Sequence, residues 1–179
     1  GTGGVIVDIT AGTLVSQGLA MPHSPRWHDG RLWVLESGRG ALCTVDLQTG
    51  KRTDVALLPG FTRGLAFLGR YALVGLSQVR ESVFTGLPIT DSAAERNCGV
   101  WVVDTQTGGV VALLKFTGAV SEVFEVTVLP ARWPVLVKQS DLTRTAYVLS
   151  DEAIAATRPA AGWPARHQDL LPSETAPVE

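Results

Sequence analysis

Three observations predict an all-β fold, a β-propeller present as a partial set of three to four four-stranded blades. A turn signature recurs three times, as Val7-Asp8-Ile9-Thr10-Ala11-Gly12, Val45-Asp46-Leu47-Gln48-Thr49-Gly50 and Val103-Asp104-Thr105-Gln106-Thr107-Gly108. A second hairpin pattern lies between the copies: His28-Asp29-Gly30-Arg31-Leu32-Trp33-Val34-Leu35 is matched by Leu68-Gly69-Arg70-Tyr71-Ala72-Leu73-Val74. Helical pattern is nearly absent. The Asp-to-Asp spacings are 38 (8 to 46) and 58 (46 to 104), the second enlarged by an insertion at about 77–97. A period near 40 with four short strands per unit is the mark of propeller blades.

The elements follow in order. Asp accepts hydrogen bonds from its own turn, and Gly takes the positive φ a tight turn demands, so each copy of the signature predicts a hairpin. A first pair of strands is expected at about 4–8 and 13–18. One full blade follows at 24–28, 31–36, 41–46 and 52–57, and a second at 63–67, 71–76, 99–104 and 109–115. A last blade is expected at 123–129, 134–139 and 145–149, its turn changed to Pro130-Ala131-Arg132-Trp133-Pro134. Asp151–Ala156 suits one or two helical turns, and residues 150–179 form a Pro/Ala-rich tail. The domain reading is therefore a partial propeller over 1–149 and a tail over 150–179. Such a set does not close a ring. The chain is expected to be the C-terminal part of a larger propeller, completed by missing N-terminal blades or by self-association.

Composition narrows the function classes. The 179 residues carry a formal net charge of −2, with 45% apolar and only 18% charged residues. Disorder requires the opposite balance. A slightly acidic, charge-poor chain cannot build the basic face that nucleic acid needs. Apolar runs are broken well short of the ~20 residues of a membrane span. Cys43 and Cys98 are too few for a disulfide framework, have no His close in sequence, and read as buried free thiols. Without a visible signal peptide, the expected location is cytoplasmic.

Candidate site residues come from the innermost strands, whose starts face a propeller's channel. Counting back from the residue that ends each strand gives His23, Arg63 and Glu125 as repeat-equivalent positions; Arg26 and Glu122 neighbour them. An imidazole, guanidinium groups and carboxylates suit a small anionic ligand, with Arg as the bidentate clamp. The insertion brings Arg80 and Glu81 and is placed to lie over His23 and Arg63 as a lid. His28, at the far end of its strand, reads as a solvated turn residue. His23 and His28 are too far apart to share a metal, and neither a metal nor a cofactor is expected. Ser37-Gly38-Arg39-Gly40 opens no helix, so no dinucleotide fingerprint is present. No nucleophile motif, P-loop or C-x-x-C occurs.

Two long runs carry a resemblance. They are Met21-Pro22-His23-Ser24-Pro25-Arg26-Trp27-His28-Asp29-Gly30-Arg31-Leu32-Trp33 and Leu58-Pro59-Gly60-Phe61-Thr62-Arg63-Gly64-Leu65-Ala66-Phe67. With Phe84-Thr85-Gly86-Leu87-Pro88 in the insertion, they resemble an uncharacterised family of conserved hypothetical β-propeller-like proteins, a domain of unknown function. The likeness runs from about Gly3 to Thr145 and leaves out the tail. Its members are longer at the N-terminal side, which implies that earlier blades are missing here. The resemblance implies a propeller and no particular reaction. The expected role is a binding or scaffold module for a small anionic ligand or protein partner on the channel face. The alternative is a hydrolase- or lyase-like enzyme with His23 as acid/base and Arg63 as anion clamp.

Overall fold

Among the described residues, the alternating apolar segments form ten strands in antiparallel sheets. The computed structural model describes residues 2–78, 87–90, 96–118 and 120–129. The strands are β1 (Gly4–Asp8), β2 (Thr13–Leu19), β3 (Pro22–His28), β4 (Arg31–Glu36), β5 (Ala41–Val45), β6 (Arg52–Leu57), β7 (Phe61–Leu68), β8 (Tyr71–Ser77), β9 (Gly99–Asp104) and β10 (Val110–Lys115). They make one hairpin, β1-β2, and two four-stranded meanders, β3-β4-β5-β6 and β7-β8-β9-β10. All lie in one unit, Gly1–Val128. A 3₁₀ turn, Ser37–Arg39, joins β4 to β5 and ends in the left-handed Gly40.

The recurrent Asp–Gly signature builds the same turn each time. Asp8 Oδ1 accepts from the Thr10 and Ala11 amides, and Asp46 Oδ1 from those of Gln48 and Thr49. Asp104 Oδ1 accepts from the Gln106 amide. Gly12, Gly50 and Gly108 close these turns at φ 65°, 68° and 72°.

Strand alternation sends successive side chains to opposite faces, and the central strands are buried on both. Trp33, Leu35 and Leu42 of the first meander pack with Leu65, Val74 and Trp101 of the second. Val34, Cys43 and Val45 point the other way, onto Leu19 of the β1-β2 hairpin. Contacts repeat from layer to layer. Gly50 abuts the Val15 carbonyl of β2, and Gly108 abuts the Val55 carbonyl of β6. Ser37 Oγ donates to the Thr62 carbonyl, and Ser77 Oγ donates to the Val123 carbonyl.

Among the described residues, 123–129 are in no strand, and the partner expected for them, 134–139, lies outside those residues. They still run beside β7, with Glu125 and Val126 backbone against Gly64. Of the insertion, the described Leu87–Thr90 piece docks on the 3₁₀ turn: the Ile89 amide donates to Gly38 O (3.0 Å), and Leu87 is buried against Gly38. The expected strand at 145–149, the helical turns at 151–156 and the tail lie outside the described residues.

Candidate functional site

The starts of β3 and β7 are built alike. Each strand slips register against its partner, between His23 and Arg26 in β3 and between Thr62 and Leu65 in β7. An extra residue in one strand makes a β-bulge, and bulges re-aim side chains. The bulge residue is Ser24 (φ 48°) in β3 and Gly64 (φ 79°) in β7. Gly is at ease there. Ser24 is not, and Pro25 after it adds pressure toward extended backbone. Met21, two residues before His23, is also left-handed at φ 53°. Non-glycine residues persist in that region only when their surroundings hold them, and the Ser24 hydroxyl is held by accepting the Gly64 amide at 3.1 Å.

His23 lies between the two strained residues, half-buried. Its Nδ1 is 3.0 Å from Met21 O and 2.8 Å from Ser37 Oγ. The Met21 carbonyl can only accept, and the Ser37 proton is directed to Thr62 O. Nδ1 therefore carries the hydrogen, and in the neutral ring Nε2 keeps the lone pair. Nε2 has no hydrogen-bond partner among the described residues.

The other expected residues fall along the same three neighbouring segments. Arg26 Nη2 reaches Glu125 Oε2 at 3.3 Å, both side chains about 40% exposed (42% and 43%). Arg63 places its guanidinium 4.1 Å from the centre of the Phe124 ring. Glu122 is exposed. Arg80 and Glu81 lie outside the described residues. The serine bonds set the repeat: Val123 stands where Thr62 does, so Phe124, not Glu125, matches Arg63 and His23. Counting along the sequence gives Glu125 at that position. Glu125 reaches the site as the partner of Arg26.

His28 is not merely solvated. Its Nε2 donates to Gly69 O (2.9 Å), and its ring stacks on Phe67 with centroids 4.0 Å apart. The turn of one meander is thereby fastened to the next.

A second polar cluster, not anticipated from the sequence, sits at the other side of the 3₁₀ turn. Glu36 is fully buried. Its Oε1 accepts from Arg52 (2.7 Å) and the Ala20 amide (2.8 Å), and its Oε2 from Arg39 (2.7 Å). Arg39 also pairs with Asp54 at 2.5 Å. The Cys43 thiol donates to Asp54 Oδ1 at 3.3 Å. The Arg39 hydrogen bond holds the Asp54 carboxyl below its ordinary range. Burial, then the Asp54 bond, pushes the Cys43 thiol far above a reactive value. Glu36, Cys43 and Asp54 offer donor atoms within 4.8 Å of one another, but two guanidiniums already neutralise the carboxylates and the thiol stays protonated. The arrangement suits an internal ion network, not a cation site. The one clue in the sequence was a Glu closing the apolar run Leu32-Trp33-Val34-Leu35-Glu36.

The whole of this geometry lies within residues 1–137, which match a family model described as a domain of unknown function (DUF4915). The chain belongs to the DUF4915 family. Comparison with curated proteins finds no match. In this DUF4915 domain, then, the expected His23, Arg26, Arg63 and Glu125 all lie on three neighbouring segments, while the buried ion network tightens the sheet behind them. No helix among the described residues is long and apolar enough to cross a membrane.

Proposed function

We propose that this DUF4915 domain is a binding module of β-propeller architecture that takes a small anionic ligand at the starts of its inner strands. Support for the architecture is the stack of four-stranded meanders with contacts recurring at Val15–Gly50 and Val55–Gly108, and at Ser37–Thr62 and Ser77–Val123. The observation that carries the site is His23: fixed through Nδ1 between two strained residues, it keeps Nε2 uncommitted. Arg63 rests on an aromatic ring and can turn its N–H donors to a ligand. Arg26 can exchange its half-exposed, weak pair with Glu125 for an oxyanion. Strain at the bulge holds this set in a fixed arrangement.

The test is titration with inorganic phosphate and citrate, read by NMR. Arg63→Ala and Arg26→Ala are expected to weaken binding about tenfold each, about 1.4 kcal/mol, with unchanged circular dichroism. If Arg63→Ala unfolds the protein while Arg26→Ala binds normally, these arginines are structural and the reading fails. The uncommitted Nε2 also favours a second reading, a hydrolase- or lyase-like acid/base role for His23. In that case His23→Gln abolishes turnover of a bound anionic ester while leaving its affinity within a few fold.

A further inference from the structure

At the opposite ends of the same strands, three turns enclose a groove of about 730 Å³. It is lined by His28, Asp29, Arg31 and Trp33 of the first meander and by Gly69, Arg70, Thr105 and Gln106 of the second. That volume is in the range of small-molecule sites. The groove is rigidly framed. His28 bridges to Gly69 O, Trp33 Nε1 donates to His28 O at 3.0 Å, and Thr105 donates through both its amide and its hydroxyl to Arg70 O.

Its charges divide into two kinds. Arg70 is committed: Nη2 pairs with Asp104 at 3.0 Å, Nη1 approaches Gln106 Oε1 at 3.4 Å, and the guanidinium lies over Tyr71. Arg31 and Asp29 are not. Among the described residues neither side chain has a hydrogen bond or ion pair, although the two flank Gly30 on one turn. The Gln106 amide group adds two N–H donors that nothing described occupies. The lining carries Arg31, Arg70 and Asp29, and Asp104 behind it neutralises Arg70, so a ligand with net charge gains little from the field as a whole. A ligand bearing both signs can use both free groups, a carboxylate on the Arg31 fork and an ammonium on Asp29.

The geometry points to a second site in this groove, for a small zwitterion of the amino-acid type. The site is independent of the inner-strand reading, because it shares no residue with it. Two free charges on one rigid turn give a selectivity that a single arginine cannot: each half of the ligand alone forfeits one charged hydrogen bond.

A matched set of probes tests this: L-phenylalanine, 3-phenylpropanoate without the ammonium, and phenethylamine without the carboxylate. Binding to the full chain is followed by NMR at the Gln106 side-chain amide and the His28 ring. L-Phenylalanine is expected to bind at least tenfold more tightly than either half. Arg31→Gln should bring it down to the affinity of phenethylamine, and Asp29→Asn to that of 3-phenylpropanoate. Asn tolerates the left-handed φ of 48° at position 29, and Arg31 is exposed, so both variants keep the fold. Arg63→Ala should leave all three affinities unchanged. Equal binding of the three probes, no saturable shift at Gln106 or His28, or loss on Arg63→Ala but not on Arg31→Gln would each overturn the assignment.

Discussion

Gly12 and Gly50 hold the same place in the same turn, with φ of 65° and 68°, yet their surroundings differ. A Cβ on Gly12 meets nothing within 4 Å. A Cβ on Gly50 would sit 2.3 Å from the Val15 carbonyl oxygen, which is backbone and cannot swing aside. Gly12→Ala therefore reports the left-handed backbone alone, about 1–2 kcal/mol. Gly50→Ala adds the forced separation of two layers, a further ~1–3 kcal/mol by analogy with overpacked cores. It also strains the 2.8 Å bond from Ser16 Oγ to the Gly50 carbonyl. The expected losses are about 1–2 kcal/mol for Gly12→Ala and about 2–5 kcal/mol for Gly50→Ala. At this size a kilocalorie shifts Tm by roughly 2–4 °C, so the two variants should melt several degrees apart. Urea unfolding at fixed pH measures both. Gly108→Ala serves as a replicate, its Cβ falling 2.2 Å from Val55 O. Equal losses for Gly12→Ala and Gly50→Ala would refute the argument that layer contact, and not turn conformation, makes Gly obligatory at position 50.

Glu36→Ala removes the buried acceptor shared by Arg39, Arg52 and the Ala20 amide, and a loss of about 3–5 kcal/mol in urea unfolding is expected for breaking a buried ion network from one side. Asp54 has its carboxyl held below its ordinary 3.8 chiefly by the Arg39 hydrogen bond. Its contribution to stability is complete above about pH 4 and is lost as pH falls through the depressed value; Asp54→Asn should flatten that acid limb in a pH series of Tm values, modestly, since the side chain is 40% exposed. Cys43, buried and with its thiol pushed up, should resist a thiol reagent at pH 8 until the protein is unfolded, and rapid native labelling of it would contradict the burial. The edge strand β10 exposes Val110, Val111, Leu113 and Leu114, so self-association at micromolar concentration is expected in analytical ultracentrifugation, and Leu113→Lys should reduce it.

The strands were legible because their signals are local. Alternating apolar residues between Asp–Gly and Gly-Arg turns place β1 to β10 within about two residues of where they form, since the turn chemistry that ends each strand is written in three or four adjacent letters. A contact between two distant segments is spelled by neither segment alone. The role of the insertion was likewise not readable from its composition. Leu87 and Ile89 seat on Gly38 and Gly40 because those glycines leave room for them, and the matching gap lies some 50 positions away in the chain.

The site was half legible for a related reason. Counting along a repeat finds which residues are equivalent only while every unit keeps its length, and a β-bulge adds a residue without a distinctive signature. In β7 the added residue is Gly64, which advertises a left-handed backbone; in β3 it is Ser24, which does not. His23 and Arg63 each stand one residue before a left-handed bulge residue, Ser24 or Gly64, and both bulges lie within the interval counted. At the third position the Ser77–Val123 bond aligns Phe124 with Arg63, and Glu125 enters the site through Arg26. Glu36 escaped notice because a charged residue at the end of an apolar strand reads as the point where the chain meets solvent. Here Arg39, three residues on, and Arg52, from the strand edge, fold back over it. Burial of a charge depends on its counter-ions arriving from elsewhere: Arg39 arrives from the 3₁₀ turn that follows β4, and Arg52 from the Gly50 turn of the repeat. The motif that announces the fold thus also helps to conceal a buried charge.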